Sequence, residues 1–94
     1  MRINVSDLRI VANRLFDHLD SLGERSIEVD EDYYWVIGEN QLYDPTHPPT
    51  DFVLGQLSDD WCELKEVLDG AEPVSYGLVW FGSILRVIGH KVVR

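Results

Sequence analysis

The chain has 94 residues and a net charge of −9, with 45% hydrophobic, 27% charged and 11% aromatic residues. It is long enough for one domain with its own core and too apolar for a disordered segment. The single cysteine excludes an intramolecular disulfide and a cysteine-rich zinc site. The N-terminus lacks the apolar run of a signal peptide, and no apolar stretch is long enough to span a bilayer. We therefore expect one globular domain over residues 1–94, located in the cytoplasm.

The acidic residues are concentrated in the middle of the chain. Residues 17–72 contain 16 of the 17 acids and only two bases, a net charge of −14, whereas residues 1–16 carry +2 and residues 73–94 carry +3. A field of this sign repels nucleic acid and anionic lipid, and it attracts basic surfaces. The charge pattern predicts a basic protein partner, with no nucleic-acid and no membrane binding.

The first predicted element is a helix over residues 7–22. Ser6 can act as its N-cap, and Gly23 suits the position after its end. Its apolar residues recur every three or four positions: Leu8, Val11, Leu15, Leu19 and Leu22. This spacing is typical of an amphipathic packing helix.

From Ser26 to Ile37 the period changes to two, which predicts a strand. One face carries Ile27, Val29, Glu31, Tyr33, Trp35 and Ile37, and the other carries Glu28, Asp30, Asp32, Tyr34 and Val36. Tyr33 and Trp35 should turn into the core, leaving an acidic face outside. Glu31 is the one acid on the apolar side, and the pattern does not explain it.

A proline-rich connection, ENQLYDPTHPPT, follows at residues 39–50 and should be neither helix nor central strand. A connection of this length is often a binding element. Leu42 and Tyr43 could present an apolar surface there, or they could cover the open edge of the sheet. A second short strand is predicted over residues 51–56.

Two more helices are predicted, one from the N-cap Ser58 to Asp69 and one over residues 74–88 that is apolar nearly all round. The order α-β-β-α-α gives a small α+β domain with a short two-stranded antiparallel sheet packed against three helices. A two-stranded sheet is marginal by itself, so a partner strand or a second subunit could complete it. A homodimer joined through the sheet or the last helix is therefore an alternative function.

No motif for nucleophilic catalysis occurs. Asp30, Glu31 and Asp32 could supply a carboxylate pair for acid–base catalysis, but any acidic chain offers such pairs, and we predict no catalytic residue and no cofactor. Cys62 lies among acids on a helix and is best interpreted as a small buried hydrophobe. Asp44, His47 and Asp51 are the one candidate metal set, but their spacing matches no established metal loop. A small metal-dependent enzyme is thus a further alternative, and the prediction is that no metal binds.

Two segments, DYYWVIGENQLYDP (32–45) and LGQLSDDWCELKEVL (54–68), resemble a group of small acidic bacterial proteins of uncharacterised function. Short proteins of this kind are similar to the immunity partners of bacterial toxins, which often neutralise a basic nuclease through an acidic face. The two segments make up about a third of the chain and contain no catalytic motif. The resemblance implies a non-enzymatic inhibitor of a basic toxin or nuclease.

The leading hypothesis is a non-enzymatic acidic module that binds a basic protein. An acidic strand face flanked by tyrosine suits lysine and arginine through charge-assisted hydrogen bonds and cation–π contacts. The predicted partner-binding residues are Glu28, Asp30, Asp32, Tyr34 and Tyr43.

Overall fold

In the computed structural model, which describes residues 1–92, helices and strands follow the predicted order with one added helical turn. The elements are α1 (Val5–Ser21), β1 (Tyr33–Ile37), α2 (Glu39–Leu42), β2 (Phe52–Gln56), α3 (Leu57–Leu68) and α4 (Gly77–Lys91). The α+β class and the α-β-β-α-α order of the main elements are confirmed.

Helix α1 lies close to its predicted bounds because its start and stop signals are local. Its N-cap is Asn4 rather than Ser6, and the Asn4 side chain lies 3.4 Å from the Asp7 carboxylate. Gly23 has a φ of 82°, and its N–H donates to the carbonyl of Asp20 at 3.0 Å. This left-handed conformation favours glycine and ends the helix.

Strands β1 and β2 form an antiparallel hairpin in which Tyr33 pairs with Gln56, Tyr34 with Gly55 and Trp35 with Leu54. The Tyr34 ring lies directly over Gly55, where a Cβ atom would overlap it. The prediction that the first strand begins at Ser26 is wrong, because β1 begins at Tyr33. β2 turns into α3 immediately after Gln56, so residues 26–32 have no strand beside them.

The prediction that residues 39–50 contain no helix is also wrong. Residues Glu39–Leu42 form one helical turn, since the first proline of the segment comes only at position 45. The last helix likewise begins at Gly77, three residues later than predicted.

A buried carboxylate joins three elements behind the hairpin. Asp60 of α3 is only 7% exposed, and its Oδ2 lies 2.5 Å from the Tyr34 hydroxyl and 2.6 Å from the Ser83 hydroxyl. Tyr34 belongs to β1 and Ser83 to α4. Next to this junction Leu57 is 6% exposed, and these two are the only residues between 1 and 92 that are buried.

The chain has a larger accessible surface and a larger radius of gyration than a compact protein of the same mass. A compact monomer of 10.8 kDa exposes about 5500 Å² and has a radius of gyration of about 12 Å. This chain exposes 8266 Å² and has a radius of gyration of 15.2 Å. The surplus of about 2700 Å² shows that much apolar surface is left without cover within one chain.

Candidate protein-binding site

The outer face of the hairpin is aromatic and exposed. Side chains of a strand alternate between two faces, so the register places six residues on the outer face. They are Tyr33, Trp35, Ile37, Phe52, Leu54 and Gln56. Trp35 is 69% exposed, Tyr33 63%, Leu54 63% and Phe52 49%. We call these six residues the aromatic face.

The aromatic face is uncharged, and two of its rings are in contact. The rings of Trp35 and Phe52 meet edge to face, with centroids 6.1 Å apart and planes at 72°. The Tyr33 hydroxyl lies 3.5 Å from Nε2 of Gln56 across the strands. None of the six residues carries a charge, although the chain has a net charge of −9.

Acids surround this face at the ends of its strands. Asp30 and Glu31 come before β1, Glu39 follows it, and Asp51 comes directly before β2. All four are exposed. An apolar centre thus has carboxylates at its rim.

Glu31 makes an ion pair with α4, which accounts for an acid that the strand pattern leaves unexplained. Its Oε2 lies 3.2 Å from Lys91 Nζ, and Asp30 Oδ2 lies 3.8 Å from the same atom. A hydrogen bond to its own backbone, followed by the bond to Lys91, lowers the pKa of Glu31. The Glu31–Lys91 ion pair links the segment before β1 to the C-terminal end of α4.

Asp32 caps helix α3 rather than facing solvent as a docking residue. Its Oδ1 accepts the Ser58 N–H at 2.9 Å, its Oδ2 accepts from Gln56 Nε2 at 2.8 Å, and its carbonyl accepts the Leu57 N–H at 2.6 Å. The hydrogen bond from Gln56 and that from the Ser58 backbone lower the pKa of Asp32. The α3 N-terminus is thus capped by a residue 26 positions earlier in the chain.

The prediction that Tyr34 faces outward and that Tyr33 and Trp35 face the core is wrong. The alternation is present, but its two sides are exchanged: Tyr34 is half-buried, and Tyr33 and Trp35 are exposed. Burial, and secondarily the hydrogen bond to Asp60, raises the pKa of Tyr34. The faces of β1 are exchanged because the buried Asp60 carboxylate needs the Tyr34 hydroxyl as a hydrogen-bond donor.

The predicted partner-binding residues do not form one surface. Glu28 is exposed in an irregular segment, Asp30 contacts Lys91, and Asp32 and Tyr34 bond within the fold. Tyr43 is exposed in the proline-rich loop, beyond the opposite end of β1 from Asp30. Sequence reasoning missed Trp35 and Tyr33 as surface residues. Gly55 could have indicated this orientation. A glycine opposite Tyr34 leaves room for the Tyr34 ring on the inner side of the sheet, which places Tyr33 and Trp35 on the outer side.

The proline-rich loop is held by Gln41, whose side-chain carbonyl accepts the N–H groups of Thr50 and Asp51 at 3.0 and 3.2 Å. Leu42 and Tyr43 are both exposed. The loop therefore keeps an apolar tip accessible to a partner.

The candidate metal ligands do not converge. Asp44 Oδ2 lies 2.9 Å from His47 Nδ1, but Asp51 is hydrogen-bonded to the Gln41 side chain instead. Hydrogen bonds from the Thr46 hydroxyl and then from His47 lower the pKa of Asp44. Within residues 1–92, no three His, Cys, Asp or Glu side chains are grouped closely enough to hold a metal ion. Cys62, expected to be buried, is exposed, because only one side of α3 is covered.

Comparisons with protein-family models, with curated proteins and with solved structures find no match to this chain. None of the helices within residues 1–92 combines the length and apolarity needed to cross a bilayer.

Proposed function

We propose that this protein is a non-enzymatic binding module whose aromatic face docks on a basic protein. The observation that carries the proposal is the exposure of four large apolar side chains on one uncharged sheet face. Monomers seldom leave a contiguous apolar patch of this kind uncovered unless it binds something.

The composition of the aromatic face suits a protein interface. Tryptophan and tyrosine are the residues that most often dominate binding energy, and they do so near the centre of an interface with a polar rim. Trp35 holds the central position opposite Leu54, and Tyr33 lies at the end of the sheet that is nearest Asp30 and Glu31. Asp51 lies at the other end. A matching partner has an apolar centre and lysine or arginine around it.

The charge of the chain supports a basic partner over other classes. Residues 17–72 carry −14, and the hairpin lies within them. Such a field speeds encounter with a cationic protein, and the acceleration falls as salt screens the charges. A basic toxin or nuclease met in the cytoplasm, the class implied by the resemblance to immunity proteins, has this chemistry.

The test is affinity capture with the full chain at about 0.05 M salt, identification of the captured protein, and titration of that protein in purified form. Trp35→Ala should weaken binding by about 2 kcal/mol, roughly thirtyfold, as truncation of a central anchor does. Raising the salt to about 0.5 M should weaken binding further.

Leu68→Ala is the matched control, since Leu68 is a large exposed apolar residue at the end of α3, away from the hairpin. It should bind like the parent chain. Capture of no protein, or equal affinity of the Trp35→Ala and Leu68→Ala variants for the captured protein, would contradict the proposal. Circular dichroism establishes that both variants are folded.

A further inference from the structure

A groove of about 740 Å³ is lined by four parts of the chain. They are the end of α1, the irregular segment 24–32, the start of α3 and the C-terminal half of α4. The best covered apolar residues of the groove come from all four parts: Leu19, Ile27, Leu57, Ile84 and Ile88. Leu57 is 6% exposed and the other four are half-buried, so the groove has an apolar floor.

The charged residues that line the groove are nearly all acids. The acids are Asp20, Glu24, Asp30, Glu31 and Asp32. Arg25 is the one base among the lining residues, so the lining has a net charge of −4. Hydrogen bonds lower the pKa of Glu31 and of Asp32, so both are ionised at neutral pH. A cleft lined by charges of one sign raises the local concentration of counter-ions. We call this cavity the acidic groove.

The chain itself places a cation at the edge of the acidic groove. Lys91 Nζ lies 3.2 Å from Glu31 Oε2 and 3.8 Å from Asp30 Oδ2. Lys91 belongs to α4 and follows the lining residue Ile88 by three positions. The position of these two carboxylates therefore suits a primary ammonium group.

We infer that the acidic groove binds a small organic cation with an apolar body, such as a lipophilic amine. Small-molecule sites are concave and mostly apolar, have volumes of about 300–1000 Å³ and carry a few polar groups that orient the ligand. Trp61 lines the groove and is 47% exposed, which offers a ring for a cation–π contact. None of the six residues of the aromatic face lines the groove, so the two sites are separate.

The first test compares three ligands that share one alkyl chain: octylammonium, octanol and octanoate. Each is titrated into the full chain at about 0.05 M salt and followed by amide NMR shifts. Octylammonium should bind with a Kd on the order of 0.5 mM, octanol at least about fivefold more weakly, and octanoate not measurably. No binding of octylammonium, or equal affinities for octylammonium and octanol, would overturn the inference.

The second test locates the ligand with a matched pair of tryptophans. Octylammonium should shift the indole N–H signal of Trp61 and leave that of Trp35 in place. Trp61→Ala should weaken binding about tenfold, through loss of apolar area and of the cation–π contact. Trp35→Ala also removes an exposed tryptophan, but one outside the groove, and should bind like the parent chain. Shifts centred on Trp35, or equal losses in the two variants, would overturn the inference. Because Trp35→Ala is the variant that should lose the protein partner, failure of this inference is distinguishable from failure of the proposed function.

The third test looks for a gain in affinity, which an unfolded variant cannot produce. Lys91→Gln removes the ammonium group that competes for Asp30 and Glu31, so octylammonium should bind about threefold more tightly. Lys65→Gln makes the same change in net charge on the exposed surface of α3, outside the groove, and is the matched control. It should bind octylammonium like the parent chain. An affinity of Lys91→Gln no higher than that of Lys65→Gln would overturn the inference.

Discussion

At the residue scale, Asp60 holds a side chain from each of two neighbouring elements. A buried carboxylate is costly unless its oxygens accept hydrogen bonds, and here one oxygen faces the hydroxyls of Tyr34 and Ser83. The Ser83 hydroxyl also lies 2.7 Å from the carbonyl of Trp80, so its single proton has two acceptors within reach. Tyr34 is therefore the donor on which Asp60 depends, and this dependence turns Trp35 to the outside.

Removing the Tyr34 hydroxyl should destabilise the domain without opening a cavity. Tyr34→Phe leaves the ring over Gly55 but removes a hydrogen bond to a buried charge, so the free energy of unfolding should fall by about 1–3 kcal/mol. Urea denaturation measures the change. Tyr33→Phe removes an exposed hydroxyl from the neighbouring position and should change stability by less than about 0.5 kcal/mol. Similar losses in the two variants would show that Asp60 does not rely on Tyr34.

At the element scale, the sequence predicts those features of helices and strands that are determined by residues close by in the chain. α1 and α3 lie within two residues of their expected bounds, because apolar spacing and Gly23 act locally. The predicted caps are wrong, since the N-cap residues are Asn4 and Gln56 rather than Ser6 and Ser58. The outward side of β1 was not predictable from its alternation, since a period of two defines two faces without saying which is covered. That choice is made by Asp60, 26 residues later, and the role of Glu31 depends on Lys91, 60 residues later.

The cap on α3 should make the domain acid-sensitive through Asp32. Its pKa is lowered in the folded chain from an ordinary value of 3.8, so its stabilising effect is complete above that value and is lost as pH falls through the lower folded value. Asp32→Ala should therefore lower the melting temperature at neutral pH. Asp32→Asn keeps an oxygen for the Ser58 N–H and should lower the melting temperature less.

Thermal unfolding of the three proteins between neutral and strongly acidic pH measures this effect. The difference between the parent chain and Asp32→Asn should shrink as Asp32 becomes protonated. A difference that stays constant through the acid range would mean that the charge of Asp32 does not stabilise the cap. Glu31 and Asp44 titrate in both proteins, so comparison of the pair isolates Asp32.

At the scale of the whole molecule, the charge distribution favours one class of partner for the exposed sheet face. The aromatic face is uncharged and lies within the acidic part of the chain, which suits a foreign basic surface.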